Sequence, residues 1–91
     1  MNEQEEQLTE EVKFAQMGLQ VLNNEAYKSA LTARRAQIFD VFCNTGKDQG
    51  DVREEAWRTM KNLDALEEYF QQVLTTGKMA EDQLKDLNLG E

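Results

Sequence analysis

Histidine and proline are absent from this 91-residue chain, and cysteine occurs once, at Cys43. Each shortage excludes something. Without histidine or a second cysteine, zinc and haem sites of the usual kinds have no ligand set, so no cofactor and no metal is expected. Cys43 has no mate for an internal disulfide and no imidazole to activate it. It falls where a helix C-terminus is expected, and the negative end of a helix disfavours a thiolate. The expected role is a small packing residue. Without proline, no backbone donor is missing and no ring interrupts a helix. No apolar run approaches membrane-spanning length, and the acidic start Met1-Asn2-Glu3-Gln4-Glu5-Glu6 lacks signal-peptide character. A cytoplasmic protein is expected.

Positive charge is also scarce. Ten basic residues face eighteen acidic ones, for a net charge of −8. DNA and anionic membranes both repel such a chain, so neither is an expected partner. A small terminase-like DNA-packaging subunit is disfavoured on the same ground.

Strong helix formers fill the remainder, and the expected fold class is all-α. One domain covers residues 1–91, with 1–6 polar and disordered. Leu8, Val12, Ala15, Leu19 and Leu22 recur at alternating steps of four and three, the seam of an amphipathic helix. Phe14, Met17 and Val21 widen its apolar face. Gly18 either weakens this helix or lets another approach closely.

A second helix is expected from Asn24, a good N-cap, to Asn44. It carries Tyr27, Leu31, Ile38, Val41 and Phe42, with small alanines between. Gly46 fits a left-handed stop. After the link Thr45–Gly50, Asp51 with Glu54 reads as a capping-box start for a third helix, running to Thr76. Val52, Ala56, Leu63, Leu66, Phe70 and Val73 take heptad-compatible positions, broadened by Trp57, Met60, Tyr69 and Leu74. Gly77 is expected to end it. A short C-terminal helix, Met79–Leu89, then folds back with Ala80, Leu84 and Leu87. The expected architecture is a long antiparallel helical hairpin flanked by an N-terminal amphipathic helix and a short C-terminal one.

Catalytic constellations are missing, so an enzyme is not expected. Glu10 and Glu11, Glu54 and Glu55, and Glu67 and Glu68 are adjacent pairs. Neighbouring helix residues point about 100° apart, which suits a solvated face better than acid–base chemistry. Di-iron bundles need Glu-x-x-His. Asp48-Gln49-Gly50-Asp51 lacks the ligand spacing of a calcium loop. The two Thr-Gly-Lys tripeptides, at 45–47 and 76–78, lack the phosphate-loop context.

One electrostatic anomaly stands out. In a hairpin centred on the link, residues whose numbers sum to about 95 come level. Tyr27 then faces Glu68, Leu31 faces Asp64, and Ile38 faces Trp57 in a shared core. Arg34 and Arg35 come level with Lys61 and Met60, near Arg58. One of the two arginines must lie in or beside the apolar stripe. Bridges to Asp64 or Glu67 are the plain reading. An anion or partner site built from Arg34, Arg35, Arg58 and Lys61 is the sharper one, because arginine suits bidentate capture of phosphate or carboxylate.

The runs Leu22-Asn23-Asn24-Glu25-Ala26-Tyr27, Val52-Arg53-Glu54-Glu55-Ala56-Trp57 and Val73-Leu74-Thr75-Thr76-Gly77-Lys78-Met79-Ala80 carry a resemblance. The stretch Leu22–Leu84 resembles small, mostly uncharacterised helical proteins of tailed bacteriophages and prophages. The resemblance implies a viral origin and hence the host cytoplasm. It brings no activity and no functional residues.

The function expected is protein binding, either self-assembly or capture of a host or phage protein. Self-association is expected through the Leu8–Val12–Ala15–Leu19–Leu22 seam, which has no partner inside the hairpin. The alternative is a sponge holding a small anionic nucleotide at the basic cluster.

Overall fold

The computed structural model describes residues 2–89, and these are helical apart from caps and one link. Helix α1 spans Glu3–Leu22, α2 spans Glu25–Cys43, and α3 spans Gly50–Leu89. No strand occurs among the described residues.

The caps explain the boundaries. The Asn2 side chain accepts from the Glu5 amide at 2.8 Å, and Glu3, Glu5 and Glu6 fill the positive first turn of α1. Residues 3–6, expected to be disordered, are therefore helical, while Met1 lies outside the described residues. Asn24 caps α2 in the same way, accepting from the Tyr27 amide at 3.0 Å. Asn44 closes α2 and returns its side-chain amide to the Asp40 carbonyl at 2.8 Å.

Three glycine and cap expectations are corrected. Gly46 is no left-handed stop, since no described glycine has positive φ. Its amide instead donates to Gln49 Oε1 at 2.7 Å. Asp51 is not the cap of α3, because the helix already includes Gly50 and Asp51 sits in its first turn. There its charge suits the helix dipole without closing a capping box. Gly77 does not end the third helix, and no separate C-terminal helix follows, because α3 continues through it to Leu89.

The described residues form two compact units. The first combines α1 with α3 from Tyr69 onward, and it explains Gly77. A Cβ at Gly77 would overlap the Ala15 Cβ and stand 3.3 Å from the Glu11 carbonyl oxygen. The glycine is buried where the two helix backbones meet. Gly18 faces Val73 and Phe70 with more room, at 3.5 and 3.6 Å. Leu8 and Ala80 are buried in this unit. The α1 seam thus has a partner inside the chain, contrary to expectation.

The second unit combines α2 with α3 up to Glu68. Ile38 and Ala56 are its buried apolar residues. Trp57, expected beside Ile38 in the core, is 57% exposed. One residue is about 100° on an α-helix, which is enough to carry Trp57 off the face that its neighbour Ala56 buries. Leu66 is also exposed, and Cys43, expected as a packing residue, lies at the surface.

Candidate functional site

Arg35 shows how α2 and α3 position charge. It lies one turn from both Leu31 and Ile38, so its stem runs along apolar surface while its head seeks acceptors. Its guanidinium donates to Asp64 Oδ1 at 2.8 Å and reaches Glu67 Oε1 at 3.2 Å. Nη1, the nitrogen that donates to Asp64, also lies 3.2 Å from Met60 Sδ. The hydrogen bond to Asp64 raises the Arg35 pKa above its ordinary value; partial desolvation opposes this, and Glu67 adds to it.

The other three cations of the expected cluster engage separate neighbours. Arg34 is exposed and donates to Gln37 Oε1 at 3.4 Å. Arg58 pairs along its own helix with Glu54 at 2.9 Å and Glu55 at 3.9 Å. Lys61 Nζ stands 5.7 Å over the Trp57 ring, a cation–π contact. Bridges to both Asp64 and Glu67 are present, as the plain reading of the arginines expects.

Arg34 and Arg58 do share a feature that Arg35 does not. They line a groove of about 570 Å³ in the second unit. Its apolar floor includes Ile38, Val41, Val52 and Ala56. Asp51, Glu54 and Glu55 line it as well. Three carboxylates beside two guanidiniums make this a mixed-charge surface and a poor anion trap.

Sequence reasoning overlooked Arg53. Its Nη1 donates to the Gly46 carbonyl at 2.6 Å and to Thr45 Oγ1 at 3.1 Å, fastening the link to the start of α3. A signal was available: a cation in the first turn opposes the helix dipole, so its place there calls for an acceptor nearby.

The self-association candidates divide by exposure. Leu8 is buried, and Val12, Ala15 and Leu22 are half-buried. Leu19 is exposed. Beside them, Phe14 and Tyr69, each about half exposed, line a second groove of about 560 Å³ that Glu10 and Glu11 make acidic. Among the described residues, no group of three or more His, Cys, Asp or Glu could hold a metal ion. No helix there is long and apolar enough to cross a membrane.

No protein-family model matches the chain, and comparison with curated proteins and with solved structures yields no significant match.

Proposed function

We propose that this chain is a non-enzymatic bacteriophage protein of the host cytoplasm that works by binding protein. It assembles with itself or with a phage or host protein, as an accessory of particle assembly or an inhibitor of a host factor. One observation carries the reading. Eleven large apolar side chains are exposed among the described residues, against four buried apolar ones. Scattered apolar surface is ordinary, but aromatic and methionine residues such as Phe14, Met17, Phe39, Phe42 and Trp57 are those that interfaces favour. The phage origin rests on the resemblance of Leu22–Leu84.

The same reading takes α2 and the first half of α3 as an antiparallel hairpin. Two anchors support it: Arg53 holds Thr45 and Gly46, and farther from the link Arg35 holds Asp64 and Glu67.

The nucleotide-sponge alternative loses ground because Arg35 already holds two carboxylates, and Asp51, Glu54 and Glu55 share the groove with Arg34 and Arg58. Sedimentation equilibrium at tens of micromolar, where complexes of about 7 kcal/mol form, tests the reading. More than one subunit is expected, with melting unmoved by a panel of nucleotides. A monomer whose Tm rises with a nucleotide would replace protein binding by ligand capture.

A further inference from the structure

We infer that the groove of the second unit is a two-fold interface, filled by the same groove of a second copy of this chain. The inference rests on the protein-binding reading and commits it to one surface and one occupant.

Charge points to the occupant. The groove has two differently charged ends over a shared apolar floor. Asp51, Glu54 and Glu55 lie at the start of α3, on the side where Arg53 holds the link. Arg58 lies one turn farther along α3. Arg34 is beside Arg35, whose partners Asp64 and Glu67 are farther still from the link. The acidic end is therefore near the link and the basic end away from it. An isologous contact applies one patch to itself with its direction reversed. A two-fold axis over Ile38 and Ala56, between the two ends, sets the acidic end of each copy against the basic end of the other. Neither a basic nor an acidic partner satisfies both ends in this way.

The local Arg58–Glu54 pair does not obstruct this arrangement. Both side chains are about 60% exposed, and an exposed pair along one helix is held weakly. It can exchange for a pair across the axis.

Exposure of the apolar floor points the same way. In the dimer, Val41, 48% exposed in the single chain, becomes buried beside Ile38 and Ala56.

The test uses the intact chain and four variants followed by sedimentation, with circular dichroism confirming helicity. Val41→Glu puts a charge where the single chain tolerates it and the dimer does not, so it shifts the protein to monomer. Arg34→Glu with Arg58→Glu makes the groove wholly acidic. Glu54→Arg with Glu55→Arg makes it predominantly basic. Each double variant alone weakens self-association by about tenfold or more. Mixing the two restores it as a heterodimer, because each supplies the charge the other lost. Failure of the mixture to recover overturns the inference. So does an oligomer that all four variants leave intact, which would place self-assembly on another face and spare the broader protein-binding reading. A wild-type chain that stays monomeric overturns the inference and the self-assembly reading together. Arg34→Gln with Arg58→Gln is the fourth variant; it removes attraction without adding repulsion, and it weakens association less than the double glutamate.

Discussion

Trp57 is the residue where burial and composition part company. A lone tryptophan in a small helical chain reads as a core anchor, and losing a buried one costs about 3–5 kcal/mol. Here the ring is 57% exposed and Lys61 Nζ stands 5.7 Å over it. Trp57→Ala therefore removes little more than an exposed cation–π contact, about 0.5–1 kcal/mol. Urea unfolding should move by no more than that, and the wild-type emission should be that of a solvated indole. A loss near 3 kcal/mol would show that the ring is buried. The heptad spacing shows which helix faces are broadly apolar, and it put Ile38 correctly inside. Choosing between Ala56 and Trp57 depends on which Cβ points at the partner, and a size-based guess takes the larger side chain. The smaller one wins because an alanine admits a close backbone approach. The arginine pair was legible in part: Arg34 or Arg35 had to lie between Leu31 and Ile38 and find Asp64 or Glu67, and only the fold selects Arg35 and gives it both.

At the scale of the element, the asparagine cap of α2 was easier to read than the glycine inside α3. Asn24 reads as a cap from its own chemistry, because the bond to the amide three residues on is local. Gly77 does not, since glycine either stops a helix or admits a neighbour, and only the neighbour decides. The neighbour is Ala15, about sixty residues back in the chain. Two substitutions separate the roles. Gly77→Ala improves helix propensity but drives a methyl group into Ala15, so overpacking should destabilise the protein by about 1–3 kcal/mol. Gly18→Ala adds a methyl at ordinary contact distance from Val73 and Phe70. It should gain up to about 1 kcal/mol from helix propensity. Thermal melts of the pair should move in opposite directions. If Gly77 only ended a helix, with no neighbour against it, its replacement would leave the α1 contact undisturbed, whereas here Gly77→Ala combined with Ala15→Gly should recover most of the lost stability.

Across the whole molecule, charge is distributed unevenly. Residues 1–23 and 69–91 carry nine acids and three bases, while 24–68 carry nine acids and seven bases. The first unit therefore holds −6 of the net −8, and the second holds −2. Composition made the total legible, but only the pairing of helices shows where it is concentrated. Two effects then compete when salt is added. Screening weakens ion pairs, of which the described residues contain seven contacts, and it also relieves repulsion among like charges. Five of the seven are three or four residues apart on one helix, a spacing that contributes about 0.3–0.5 kcal/mol each. Only the two Arg35 contacts join helices. Repulsion acts over the whole of a unit with three times as many acids as bases, and it opposes the packing of α1 on α3. Relief of repulsion should win. Raising sodium chloride from about 20 to about 300 mM, which shortens the screening length from about 20 to about 6 Å, should raise Tm. A falling Tm over that range would mean that the Arg35 bridges outweigh the excess of negative charge. Arg35→Gln distinguishes the two cases, because without those bridges the rise with salt should become steeper.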